Sequence, residues 1–257
     1  MQILRWIVLF FLSLMVAAPL AAQGPLRIAA AADLEPVLPP VLVQFERATR
    51  IRAEASYESS AMLTTEILNG APFDVFLSAD LGFPKRLIDA GAAGSAGSTT
   101  PITYARGTLV LWTRRDAHLP PPSLALLRDP RLKRLAIANP ERAPYGRAAV
   151  ETMRKLGLYD ALKSRLATAE NIAQAAQFVD SGNADAGLIS LTSAKTPRLS
   201  SVGSYFVIPR ELYAPIEQGA VIVSRTKQRT KAQKFLDFLL SPEVQSELKK
   251  SGLAPAR

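Results

Sequence analysis

Two serines stand where an extended run turns into a helix in YESSAMLTTEILNGAPFDVFLSAD (57–80), a stretch without lysine or arginine. The same grammar, an extended run, a small or capping residue and then a helix, recurs at Asp33, at Pro144 and Tyr145, and at Asn171 and Ile172. A helix start leaves its first N–H groups without intrahelical acceptors and carries a partial positive charge. Such a terminus suits an anion. Several of them facing one cleft would surround a small dianion with neutral donors and need no buried arginine. Ser and Asn are also ordinary N-caps, and Pro an ordinary first helical residue, so no single joint separates cap from ligand. The order and spacing of the set raise the ligand reading.

Other chemistries find less. No G-x-S-x-G elbow is present, and His118, the only histidine, lies in a proline-rich turn with no base arrangement around it, which argues against a serine hydrolase. The same histidine has no partners for a metal site, and without cysteine there is neither a disulfide nor a thiolate centre. Asp74 and Asp80 flank the run VFLSA. Asp80 is expected to cap the following helix, and an acid near a hinge is also placed to clamp a closed state. Tyr104 and Trp112 read as core or hinge packing.

The elements that must position these residues alternate between strand and helix. LRIAAAA reads as a strand, and Val37, Val41 and Phe45 share one helical face. IRAEASY and FDVFLSAD are further strands, with a helix from Ala61 to Asn69 between them that Gly70 stops. GAAGSAGSTT is a flexible connection. TLVLW, RLAIANP, DAGLISL and GAVIVS follow as strands, with a helix over 144–156, the run RLATAEN leading into a helix over 172–180, and further helices at the C-terminus. This is the pattern of an α/β protein. In open α/β sheets ligands gather where strands end and helices begin, which is where the four joints lie.

The 257 residues suffice for a sizeable core in one or two domains. WIVLFFLSLMVAAPLAA follows Arg5 and ends in small residues, so 1–22 reads as a secretory signal peptide, with a retained anchor as the alternative. Its removal takes the formal charge from +9 to +8. The basic runs RATRIR, RLKR and KQRTKAQK are dispersed and not interleaved with aromatics, the look of solvated faces and not of a nucleic-acid surface. A modestly positive field would still draw a small anion.

The motifs AAAADL, YESSAMLTTEILNGAPFDVFLSAD, IANPERAPYGRAAVE, LGLYDAL, AENIAQAAQFVDSGNADAGLI and FLDFLLSPE, in this order, resemble the periplasmic molybdate-binding proteins of ABC transporters over nearly the whole mature chain. The resemblance implies a bilobed periplasmic-binding-protein fold of type II, two α/β lobes joined by crossing strands, and no enzymatic activity. It implies capture of molybdate or tungstate, or of another oxyanion such as phosphate or sulfate. Delivery would be to a membrane permease driven by an ATPase, by a monomer in the periplasm that needs no cofactor. The molybdenum would arrive as an oxyanion and not at a cation site. By position the oxyanion ligands fall on Asp33, Ser60, Tyr145 and Ile172, with Ser59 and Ser190 as further candidates. Ser60 would give hydroxyl and N–H, and Tyr145 and Ile172 their backbone N–H groups.

Two positions depart from the family pattern. Asp33 stands where well-known members have a hydroxyl residue, and Ser190 where they have a tyrosine. A carboxylate against a dianion in a dry pocket is repelled. Either Asp33 turns away and caps its own helix through the Glu35 N–H, since Pro36 has none, or it reads a proton on the ligand. The expected boundaries are 24–105 for the first lobe, 106–221 for the second and 222–257 for the return.

Overall fold

The computed structural model describes residues 24–94 and 100–255; the expected signal peptide and the middle of the Gly/Ser connection lie outside the described residues. A first sheet takes β1 (Leu26–Ala31), β2 (Ala53–Glu58), β3 (Val75–Ser78), β4 (Ala93–Gly94) and β5 (Ile102–Gly107). The chain then crosses into a second sheet of β6 (Leu109–Arg114), β7 (Leu135–Ala138), β8 (Leu166–Ala169), β9 (Ala186–Ser190) and β10 (Gly203–Val207). It returns to the first sheet with β11 (Ile216–Val223) and β12 (Ala254–Pro255). The spatial orders are β12-β5-β11-β3-β1-β2, with β4 also on β11, and β10-β6-β9-β7-β8.

The central strands of each sheet are parallel, β1 with β2 and β3, and β7 with β8 and β9. β1 and β7 are buried along nearly their whole length, as strands covered on both faces must be. The antiparallel strands β11 and β6 adjoin them. In the first lobe Val41 and Phe45 pack under the sheet, and the ring of Phe45 meets Phe235 edge-on at 5.3 Å. The C-terminal helices Arg229–Leu239 and Pro242–Lys250 add Leu236, Val244 and Leu248 to that core. The second core gathers around Trp112, Leu135, Ile137, Met153 and Leu188.

The crossings differ slightly from the expected boundaries. The first sheet keeps the chain through Gly107, and the return begins at Ile216, where β11 pairs with β5, six residues before the expected 222. The apolar run GAVIVS marks only the second half of this strand. In its first half Glu217 faces outward while Gln218 is wholly buried, so the hydrophobic signal is interrupted there. β5 and β10 carry no clear apolar alternation either, since β5 buries only Tyr104 and Ala105 and β10 is an exposed sheet edge.

The helix Pro144–Lys155 starts hard against the end of β7. A Cβ on Gly146 would stand 2.2 Å from the Ala138 carbonyl oxygen, so only glycine allows this approach. Gly146→Ala should therefore cost about 1–3 kcal/mol of unfolding free energy in urea melts, as overpacking against backbone does. A variant as stable as wild type would show that the helix start can retreat without loss.

Candidate functional site

The carboxyl ends of the parallel strands in both sheets point at one small cavity. The first sheet contributes Asp33, Glu58, Ser59, Ser60 and Ala79 to its wall; the second contributes Ala143, Pro144, Tyr145, Asn171 and Ile172. No lysine or arginine lines it. Larger clefts exist elsewhere, including one bordered by Pro101, Arg106, Glu217 and Gln245, which gathers no helix start.

Each helix start is built by its own local sequence. Ser59, in extended conformation, caps the helix Ser60–Leu68 by accepting from the Met62 N–H at 3.4 Å. Asn171 caps Ile172–Asp180 by accepting from the Gln174 N–H at 2.9 Å. Both caps occupy the third N–H of the helix, so those of Ser60 and Ile172 have no intrahelical acceptor. In the third helix Pro144 takes the first position and brings no N–H, which makes Tyr145 its first donor. The Ser60 hydroxyl accepts from the Ala79 N–H at 3.1 Å, leaving its own proton to be donated elsewhere.

Asp33 is wholly buried, and it does not cap in the expected way. Residues 32–34 form a 3-10 turn capped by Ala31, so Asp33 lies inside the turn, and the Glu35 N–H goes to the Ala32 carbonyl at 3.3 Å. The carboxylate reaches instead into the junction of the lobes. Its Oδ2 accepts from the Tyr145 hydroxyl at 3.0 Å and from Nε2 of Gln218. Oδ1 is buried with no partner among the described residues. Burial raises the carboxyl group to about 6 against the lowering effect of Gln218 and Tyr145. Burial and the Asp33 charge push the Tyr145 phenol well above its ordinary value, so it remains a donor. Tyr145 passes over the crossing strand at Gly107, where a Cβ would come within 2.3 Å of its hydroxyl.

Ser190 is not at the cavity. It caps the short helix Leu191–Ala194 by accepting from the Ser193 N–H at 3.2 Å and lies 2.9 Å from the hydroxyls of both Thr192 and Ser193. Thr192 donates to the Asp33 carbonyl at 2.8 Å, and a carbonyl can only accept. The Thr192–Ser190 contact must then run from Ser190 to Thr192. The result is a directed hydroxyl chain from β9 to the backbone of Asp33, which ties the second lobe to the first.

More contacts cross between the lobes at the rim. Asn171 Nδ2 donates to Glu58 Oε2 at 3.2 Å, the Ala61 N–H to the Arg142 carbonyl at 3.2 Å, and Arg147 pairs with Asp80. Asp80 also accepts from the Phe83 N–H at 3.0 Å in the first turn of the next helix, although Leu81 occupies the cap position itself. Asp74 has a structural place, tying the Arg27 N–H to Thr226 and Gln228. His118 is exposed. The sequence reading missed Glu58, Gln218 and Thr192. Gln218 had a readable signal, a lone amide inside an apolar strand.

Comparison with known proteins places the chain in a family. The model of the bacterial extracellular solute-binding proteins matches residues 26–254. The molybdate-binding protein ModA of Azotobacter vinelandii is 38% identical over 90% of each chain, and that of Rhodobacter capsulatus 36% over 90% of this chain and 89% of the other. The solved Azotobacter vinelandii periplasmic molybdate-binding protein superposes with a TM-score of 0.82 at 32% identity, covering 90% of this chain and all of that one. The sulfate-binding protein SubI of Mycobacterium tuberculosis shares the fold, with a TM-score of 0.77 at 17% identity over 91% and 87% of the two chains. The chain belongs to the bacterial extracellular solute-binding proteins, with the bilobed α/β fold of type II.

The position of Asp33 has a measurable consequence for the free protein. Its carboxyl rises from 3.8 to about 6 on folding, so between these values the folded state binds more protons than the unfolded one. Stability should fall as pH rises through that window and level off above it. Between pH 4 and 7 wild type should lose about 2–3 kcal/mol of unfolding free energy that Asp33→Asn retains. Urea melts of both proteins check this, and parallel pH profiles would show that Asp33 titrates as an exposed acid.

Proposed function

We propose that this member of the solute-binding family captures molybdate or tungstate between its lobes and delivers it to the membrane permease of an ABC transporter. One observation carries the reading: first-turn N–H groups of three helices, drawn from two sheets, converge on a single small cavity lined by no basic side chain. Such donors suit a proton-free dianion, whose charge they meet without a buried counter-ion. The similarity to molybdate-binding proteins supports the choice of oxyanion.

Ser60, with its hydroxyl and N–H, and Ser59 beside it would hold the ligand from the first lobe. The N–H groups of Tyr145 and Ile172 would hold it from the second. Only the closed form engages both sets, so binding favours closure and no covalent chemistry is involved. The Asp80–Arg147 pair at the rim is partly exposed, the Arg147 side chain by 45%, and is worth only ~0.2–1 kcal/mol. Closure therefore draws its main stabilisation from the ligand. Export through the leader at 1–22 to the periplasm, and action as a monomer with the permease and its ATPase, belong to the same reading. Among the described residues no helix is long and apolar enough to cross a membrane.

Thermal melting of the mature protein with molybdate, tungstate, sulfate and phosphate at equal ionic strength tests the assignment. Molybdate and tungstate at a thousandfold excess over Kd should add ~4 kcal/mol of stability, and sulfate and phosphate little. A larger shift with phosphate or sulfate would overturn it. Ser60→Ala should weaken molybdate binding by ~1.5–3 kcal/mol, the range for a hydrogen bond to a charged group. Unchanged affinity by calorimetry would remove Ser60 from the site.

A further inference from the structure

We propose that the oxyanion enters the cleft together with one proton, which resides on Oδ1 of Asp33 and is donated from there to a ligand oxygen. The inference rests on the reading of the cleft as an oxyanion site and assigns Asp33 a specificity-determining part in it.

The geometry of the carboxyl group leads to this assignment. Asp33 lines the cavity, and its two oxygens have opposite surroundings. Oδ2 is engaged by two donors, Tyr145 and Gln218, and has no use for a proton. Oδ1 is buried without a partner, the costly state for a polar atom and the open position for a proton. Tyr145 cannot supply that proton, because its phenol is held well above its ordinary value by burial and by Asp33. The proton comes from solvent.

Charge balance points the same way. The wall of the cavity holds two carboxyl groups, Asp33 and Glu58, and no cation. Glu58 is met by the neutral amide of Asn171. The nearby arginines are spent elsewhere, Arg147 on Asp80 and Arg142 on Glu170. β5 presents Tyr104, a buried phenol pushed upward by burial and by Asp33, and β11 presents the uncharged Gln218. A dianion beside an ionised Asp33 would thus face a like charge at low dielectric with no cation to offset it, only the neutral donors of the helix starts. Protonation removes that charge and turns an acceptor into a donor. Thr192 meanwhile holds the Asp33 carbonyl, which fixes the turn that aims the group. The carboxyl of the free protein, raised to about 6, is within reach of such proton uptake near neutrality.

Binding should therefore weaken as pH rises above about 6, by up to about tenfold in Kd per pH unit, and level off below it. Calorimetric titration of the mature protein with molybdate at pH 7.5, in two buffers of different ionisation heat, counts the protons. Kd measured from pH 5.5 to 8.5 gives the slope. Wild type should take up about one proton per ligand. Asp33→Asn should take up none, give a flat profile and bind more tightly than wild type at pH 8.5. Its melting curve and circular dichroism establish that it is folded, and Asp33→Ser provides a second variant that should also lose the slope. Molybdate binding to wild type without proton uptake overturns the proposal and leaves the oxyanion function standing. Proton uptake that persists in folded Asp33→Asn also overturns it, since the proton then sits on another group or on the ligand. No molybdate heat in folded wild type overturns the function and the proton together.

Discussion

A helix begins with N–H groups that its own hydrogen-bonding pattern cannot use, and a parallel strand running into a helix delivers them to one edge of a sheet. In this protein two such edges face each other. β2 leads to Ser60 from one side, and the strands β7 and β8 lead to Tyr145 and Ile172 from the other. The caps at Ser59 and Asn171 take up the third N–H of their helices, and Pro144 brings none. What remains unpaired is concentrated at the cavity. The absence of basic side chains there follows from this arrangement, because backbone donors already supply the positive potential.

The junction of the lobes depends on one buried carboxyl group. Asp33 comes from the end of β1, Tyr145 from the second lobe and Gln218 from the returning strand β11, and all three meet at its Oδ2. Gly107 leaves the space over which Tyr145 reaches across the crossing strand. A group so placed belongs to the cavity wall and to the junction of the lobes at once. Any change in its charge is felt by the contacts that relate the lobes, and the hydroxyl chain through Ser190 and Thr192 holds its backbone from the far side.

The rim contacts between the lobes are weaker. Arg147 with Asp80 is partly open to water, and Asn171 with Glu58 is a single hydrogen bond. Such contacts set the register between the lobes and contribute little stability individually. A receptor that must also release its ligand is suited by this division, with strong interactions reserved for the occupied cleft.

The sequence alone determined the local elements. Hydrophobic period, capping residues and prolines marked the helix starts at Ser60, Pro144 and Ile172 to within a residue, because those signals act over a few neighbouring positions. The family resemblance then named Asp33, Ser59, Ser60, Tyr145 and Ile172, and these five line one cavity. Only the tertiary structure decided what Asp33 and Ser190 do. The partners of Asp33 lie 112 and 185 positions away, and no local pattern encodes such a meeting. Ser190 has the right residue type at a strand end, yet its short side chain is taken up by Thr192 and Ser193 before it can reach the cleft. Buried polar side chains choose their partners through the packing of distant elements, so their roles become readable only when those elements are in place.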